Sequence, residues 1–351
     1  MAEKFVMALD AMGGDNAPRC VVAGAAKANI RYPHIEYLFV GDELKIKPLL
    51  ERHKNLLKCS HVLHTDKMVR GDDKPSVALR AGRHSSMRLA LDAVAKGDAA
   101  CVVSGGNTGA LMAMGRMVLK TLPGIERPAI VSYFPTLHGE CVLLDLGANI
   151  ESDGEALFQF AVMGALFGKV VLGMLSPRIG LLNVGSEELK GHDEIRAAAA
   201  LLREATLPGS YIGFVEGDNI FKGLADVVVT DGFTGNIALK TMEGTAKLCY
   251  AMLRRSFQSS LTARLGYLLA YPAMRKLKKK IDPRMYNGAM LVGLNGVCVK
   301  SHGGTDAQGF ANAIGVAGDL VTHGINKNIR EEMLKLYPVV TDTVASEGLA
   351  I

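Results

Sequence analysis

Five times along this chain a short apolar run ends in a loop rich in glycine, asparagine or aspartate, and each loop opens a helical pattern. Residues 5–9 run into Asp10, Gly13, Gly14 and Asp15, with a helix from about residue 18. Residues 99–103 run into Gly105-Gly106-Asn107-Thr108-Gly109 and a helix through about 120. Residues 141–144 lead to Asp145 and Asn149, and residues 179–184 lead to Gly185, Glu187, Lys190 and Gly191. Residues 226–229 lead to Asp231, Gly235 and Asn236 and then a long helix. Alternating strands and helices imply βαβ units and a mainly parallel sheet flanked by helices, an α/β fold. Apolar runs without alternation fit strands covered on both faces. Right-handed crossovers then predict that all five loops lie at one edge of the sheet and converge on one site.

The composition permits such a fold. The chain has 351 residues, 49% of them hydrophobic and 21% charged, enough to bury a large core in one unit spanning 1–351. A net charge of +5 is too mild for the broad basic face of a nucleic-acid binder, so no nucleic-acid partner is expected. The six cysteines, Cys20, Cys59, Cys101, Cys141, Cys249 and Cys298, form no C-x-x-C pair, which predicts a reduced, cytoplasmic protein without a zinc site. Cys101 and Cys141 fall in runs that read as buried strands. The N-terminal apolar stretch ends at Asp10, too short for a signal peptide. The longest apolar stretch, 158–175, is interrupted by Gly168 and reads as a helix followed by a strand.

Residues 253–287 differ from the rest. Leu261, Leu265, Leu268 and Leu269 form a helical stripe that Pro272 is expected to end or kink. Met274, Leu277 and Ile281 continue at helical spacing, with Arg275, Lys276, Lys278, Lys279 and Lys280 on the other faces. Such an amphipathic insertion lies in a membrane interface, meets an acidic partner, or packs in a dimer with a solvated face. A strand pair over 289–299, a helix over about 307–324, and a final helix and tail in the last 20 residues complete the reading.

Glycine-rich turns at helix N-termini suit anions, because backbone N–H groups and the helix dipole both favour negative charge. Gly13-Gly14-Asp15 and Gly106-Asn107-Thr108-Gly109 are the clearest such turns, although the glycines can also serve only tight turns. Lys190 either holds phosphate or an oxyanion or is a solvated lysine. Asn236 either holds a carbonyl or phosphate oxygen or caps its helix. His302, before two glycines, is a phosphate donor, a proton-transfer group or a turn residue. Asp10 and Asp231, at strand ends, orient these groups, bind a metal or cap loops. No P-loop, dinucleotide fingerprint, nucleophile elbow or zincin motif occurs.

At these residues the chain resembles a known family. The stretches ALDAMGGD (8–15), SGGNTGA (104–110), LDLGAN (144–149), GLLNVGSEELKG (180–191), DVVVTDGFTGN (226–236) and SHGG (301–304) resemble, in order, those of bacterial acyl-carrier-protein:phosphate acyltransferases of phospholipid synthesis. The resemblance implies transfer of a long-chain acyl group from acyl carrier protein to inorganic phosphate, without a cofactor or metal. It also implies a phosphotransacetylase- or isocitrate-dehydrogenase-like fold, a homodimer, and peripheral membrane association. The acyl phosphate would pass to a glycerol-phosphate acyltransferase. Lys190, Asn236 and His302 fall in the family's motif loops, as do Asn149 and Glu187. Proximity and oxyanion stabilisation should carry the rate, and loss of one oxyanion donor such as Lys190 is expected to lower kcat by about 10²-fold. Three rivals remain at this level: a short-chain acetyl- or butyryltransferase using acyl-CoA, a metal- and nicotinamide-dependent decarboxylase, and a non-catalytic membrane scaffold.

Overall fold

The computed structural model describes residues 3–280 and 282–336, with side chains throughout except at 278–280 and 283. The side chains of Lys278, Lys279 and Lys280, Ile281, and the tail from 337 lie outside the described residues.

The first part of the chain alternates as the loops require: β1 (Phe5–Asp10), α1 (Arg19–Arg31), β2 (Ile35–Gly41), α2 (Glu43–Leu50), α3 (Lys54–Leu57), β3 (Ser60–His64), α4 (Pro75–Ala81), α5 (Ser86–Lys96), β4 (Cys101–Ser104) and α6 (Thr108–Leu119). A hairpin follows, β5 (Ala129–Thr136) and β6 (Gly139–Leu144). Then come α7 (Gly154–Leu172), β7 (Arg178–Leu182), α8 (Asp193–Glu204), β8 (Ser210–Val215) and β9 (Val227–Val229). The helical arm is α9 (Gly232–Gln258) and α10 (Leu261–Lys280), and the chain returns through β10 (Ala289–Val292), β11 (Val297–Lys300), α11 (Ala307–Thr322) and α12 (Ile325–Leu336).

The eleven strands form one sheet in the order β3-β2-β1-β4-β11-β10-β5-β6-β9-β7-β8. Most neighbours are parallel, as expected for buried apolar strands. The exceptions sit together in the middle: β10 is antiparallel to β11 and to β5, and β5 is antiparallel to β6. Three successive reversals leave β6, β9, β7 and β8 running opposite to β3, β2, β1, β4 and β11. This corrects the expectation of one loop-bearing edge. The crossover rule places loops together only across parallel connections, and the central antiparallel strands break that series.

The two halves are also offset. Lys300 pairs with Ala289, Met290 pairs with Val131, and Ser132 pairs with Leu143. The carboxyl ends Lys300 and Leu144 therefore stop about one residue, roughly 3.3 Å, apart along the strand direction. Their loops leave in opposite directions from nearly one level, on either side of the two strands β10 and β5.

The core follows from the apolar helices. α7 is apolar on nearly every face and is buried from Ala156 to Gly168. It is the one helix among the described residues long and apolar enough to cross a membrane, yet 72% of that window is buried within the protein. Gly168 does not break it; the helix runs on to a left-handed Gly173 at φ 68°. Likewise α10 passes through Pro272. The arm is exposed there, so water can reach the carbonyl that proline leaves without its helical partner.

Candidate active site

Asp10, Ser104 and Lys300 are the last residues of adjacent strands and lie side by side in register. Asp10 is 1% exposed. Ser86 Oγ donates to its Oδ1 at 2.6 Å, and Ser104 Oγ donates to its Oδ2 at 2.6 Å. Burial pushes this carboxyl above the usual aspartate range, and the two hydroxyl donors pull the other way. Both oxygens are thus committed, and Asp10 is an anchor beneath the loops.

Three turns stack on that anchor. Gly106 N–H donates to Ser104 Oγ at 3.1 Å, Ser301 N–H donates to Ser104 O at 2.8 Å, and Asp15 N–H donates to Gly303 O at 2.9 Å. Two glycines here are required by contact. A Cβ on Gly13 would stand 2.7 Å from the Gly106 nitrogen and against Asp10, and Gly14, at φ 104°, would put one 2.9 Å from Gly303 O. Asp15, Thr108 and Gly109 are exposed at this rim. Asn107 caps α6 through Ala110 N–H at 2.9 Å, and its amide donates to Gly71 O and Asp73 O.

The sequence reading did not single out Lys300. It is half-buried, and its ammonium donates to Ser301 O and, at 3.4 Å, to Gly105 O. Burial lowers its pKa to about 8, against the attraction of Asp10 and Asp15. The available signal was a lysine closing the buried strand VCVK two residues before His302. His302 is exposed; its N–H donates to Asn287 Oδ1 at 2.9 Å, and its Nδ1 accepts from Gly304 N–H at 3.1 Å. The neutral ring therefore carries its proton on Nε2. Asn287 also donates to Ser301 Oγ and Gly309 O, both at 2.8 Å, and so fixes this turn from below.

A second cluster forms on the reversed half around Asp145, which is fully buried. Its carboxylate accepts from the N–H groups of Ile130, Gly147, Ala148 and Asn149 and from the Asn149 amide, at 2.7–3.2 Å. Burial pushes its pKa up while these donors pull it down. Asn149 also donates to Pro128 O at 2.9 Å and accepts at its carbonyl from Gly232 N–H at 2.7 Å. Gly235 lies flush against the Asp145 carbonyl, leaving no room for a side chain. α9 starts at Gly232, capped by Asp231, which accepts from Thr234 N–H and Thr234 Oγ1 at 2.8 Å each. Asp231 therefore takes the cap, and Asn236 stands exposed in the next turn beside Gly147.

Lys190 and Glu187 are both exposed in a third turn, at the end of β7. Asn183 donates to Lys190 O at 3.1 Å and Arg196 donates to Gly191 O at 2.6 Å, which hold the turn's backbone and leave the Lys190 side chain free to reach. The structure thus places His302 with Asp10, Gly13, Gly14 and Gly106, and Asn236 with Asn149 and Gly235. No hydrogen bond joins Lys190, Asn236 and His302 to one another. α9 links the halves: it rises from the Asp145 cluster, and its Lys240 comes near enough to Lys300 to oppose its charge. Among the described residues, no three His, Cys, Asp or Glu side chains are grouped to hold a metal.

A family described as "Fatty acid synthesis protein" matches residues 5–328 of the chain. The phosphate acyltransferase of Rhodospirillum centenum is 66% identical over 336 residues, covering 96% of this chain and 95% of that protein. The phosphate acyltransferase of Paramagnetospirillum magneticum is 56% identical and covers 96% of each. Among solved structures, a phosphotransacetylase from Streptococcus pyogenes superposes with a TM-score of 0.61 at 18% identity, covering 91% of this chain and 94% of that one. A branched-chain phosphotransacylase from Enterococcus faecalis gives 0.55 at 13% identity, covering 90% and 99%. At these identities the structures establish a shared phosphotransacetylase-like α/β fold.

Proposed function

The chain belongs to the fatty acid synthesis protein family, and from that membership we propose that this phosphate-using acyltransferase takes its acyl group from acyl carrier protein and releases an acyl phosphate. In the balanced step a phosphate oxygen of HPO₄²⁻ bonds to the thioester carbonyl carbon. The C–S bond breaks, and the phosphate proton leaves with sulfur as the free carrier thiol. Phosphate is largely dianionic near neutral pH, so the site needs no strong base. It needs donors that overcome repulsion between an anion and a carbonyl oxygen gaining charge.

The observation that carries the reading is the stack of glycine turns at 13–14, 105–106 and 303–304 above the anchored Asp10. Turns packed backbone against backbone, with no Cβ on their glycines, suit an oxyanion at their rim. On this reading Gly13, Gly14, Gly106, Asn107, Thr108, Gly109 and Asp15 border the phosphate. The exposed His302, whose Nδ1 is taken by Gly304 N–H, supplies a donor at Nε2. Asn236, at the start of α9, is assigned to the carbonyl oxygen, with the Asn149 turn supporting it. Lys190 is assigned to the oxyanion from its mobile stem, with Glu187 bordering it.

The arm supports peripheral membrane contact in the same spirit. α10 exposes Leu261, Leu265, Leu268 and Leu269 beside Arg264, Arg275 and Lys276, the pattern of a helix lying in a membrane interface. That placement suits a cytoplasmic homodimer that hands a greasy, reactive acyl phosphate to a membrane glycerol-phosphate acyltransferase.

The test is incubation of the purified chain with palmitoyl-acyl carrier protein and inorganic phosphate, without added metal. The expected result is phosphate-dependent release of carrier thiol, with acyl phosphate trapped by hydroxylamine. Turnover of acetyl-CoA and none of the carrier-bound substrate would replace this reading with the short-chain transferase. Loss of vesicle flotation when Lys278, Lys279 and Lys280 become glutamate is expected of the membrane contact; undiminished flotation would remove it.

A further inference from the structure

One cation at the first cluster has no role in the scheme above. We propose that Lys300 is the phosphate-seating cation of the site, its ammonium reaching the anion held between the 13–14, 105–106 and 303–304 turns. This deepens the functional reading and rests on it for the identity of the anion.

Position argues for it first. Lys300 ends β11 beside Ser104 and Asp10, directly under the turns that converge from β1, β4 and β11. Its ammonium has three N–H donors, and its protein partners are the carbonyls of Gly105 and Ser301. One donor is left for a ligand at the junction of those loops.

Charge argues for it second. A half-buried ammonium is costly without an anion. Asp10 is the nearest carboxylate in the register, but its oxygens are taken by Ser86 and Ser104, so it attracts Lys300 through space without pairing with it. The other charged or titratable groups around Lys300 are Asp15 on the β1–α1 loop, Cys298 on its own strand and Lys240 on α9. The fold therefore holds a cation under three anion-type turns and pairs it with no side chain. Lys190, by contrast, is exposed and keeps its water, so its charge is screened until the substrate covers it.

The experiment measures phosphate binding by calorimetry and initial rates against phosphate concentration at saturating palmitoyl-carrier protein, for the intact chain, Lys300→Met and Lys300→Arg. Removing a charge-assisted donor predicts that Lys300→Met raises both the Kd and the KM for phosphate by about 10-fold or more, with the KM for the acyl donor unchanged. In the wild type the phosphate KM should rise as pH passes about 8, where the ammonium is lost. Lys300→Arg stays charged and should lack that rise. Unchanged phosphate Kd in Lys300→Met, or a fall in kcat alone, would overturn the assignment and leave Lys300 a loop brace. If Lys300→Met does not fold, the pH profile of Lys300→Arg decides alone: a rise matching the wild type removes Lys300 from the site. A wild type that binds phosphate but releases no carrier thiol would sink the acyl-donor reading, while the binding comparison still decides the role of Lys300.

Discussion

The loop clusters and the helical arm break the ordinary rule of burial in opposite ways. Around Asp10 and Asp145 the chain buries charged groups beneath polar turns and satisfies them with hydroxyl and backbone donors. Along α10 it leaves Leu261 and Leu269 82% and 78% exposed. The arm holds itself together through the ring contacts Phe257–Tyr267 at 5.2 Å and Tyr267–Tyr271 at 6.0 Å. These rings help line a cavity of about 1090 Å³ between α9 and α10, which Arg254 and Arg264 also border. Buried polarity is expensive unless every group is paired, and exposed apolar surface has no use without a partner. The first region should therefore govern stability and chemistry together, and the second should govern neither in solution but should govern attachment.

Substitutions can break or sharpen that contrast. The largest stability effect is expected at Asp145. Replacing it with alanine strands several backbone donors and should cost about 3 kcal/mol or more by urea denaturation, since each unpaired buried donor costs about 1–3 kcal/mol. A loss under half of that would mean the second cluster is not a closed network. Lys190→Ala should leave stability alone and lower kcat by about 10²-fold, the scale for one oxyanion donor. Near-normal turnover would remove Lys190 from the mechanism. Asn287→Ala removes the acceptor for His302 N–H and should cost about 1–3 kcal/mol with a parallel fall in turnover. Unchanged turnover would show that His302 needs no support from below.

Stability against pH sharpens the contrast further. The Lys300 pKa is depressed in the folded chain, so between about 8 and 10.5 the unfolded state binds more protons. Unfolding free energy should therefore rise with pH through that window relative to Lys300→Met. A flat difference would mean that the ammonium is fully hydrated. On the arm, as at Lys190, little stability should be lost: Leu265→Glu with Leu268→Glu should change unfolding free energy by less than about 0.5 kcal/mol per site while abolishing vesicle flotation. A large destabilisation would instead place these leucines in a solution interface.

Much of this architecture was legible locally. The apolar runs ending at Asp10, Val103, Leu144 and Val229 marked strands, because a strand buried on both faces has little polar content to hide. The glycines at 13 and 14 marked an anion-type or tight turn, but that they and Gly235 lie where no Cβ fits is known only from their packing. The amphipathic arm was readable from its spacing. Lys300 was not, because a lysine after three buried residues looks like any strand end until the neighbours are known. Asp145 was seen only as a loop residue, because its donors come partly from Ile130, a strand away. Asn236 read equally well as a helix cap, and only the position of α9 gave that task to Asp231.

By itself the sequence determined several of the strands, the glycine-rich loops that follow them, and the family the motifs resemble, because period, glycine and loop order are properties of neighbouring residues. Tertiary structure alone decided that the loops form two clusters rather than one edge. That outcome depends on the direction of β5, β6 and β10: two local hairpins, β5–β6 and β10–β11, are joined by the antiparallel pairing of β10 with β5, segments more than a hundred residues apart. The parallel pairing of β11 with β4, across nearly two hundred residues, brings Lys300 beside Ser104 beneath the Gly13 and Gly105 turns, and no local pattern in the chain records that meeting.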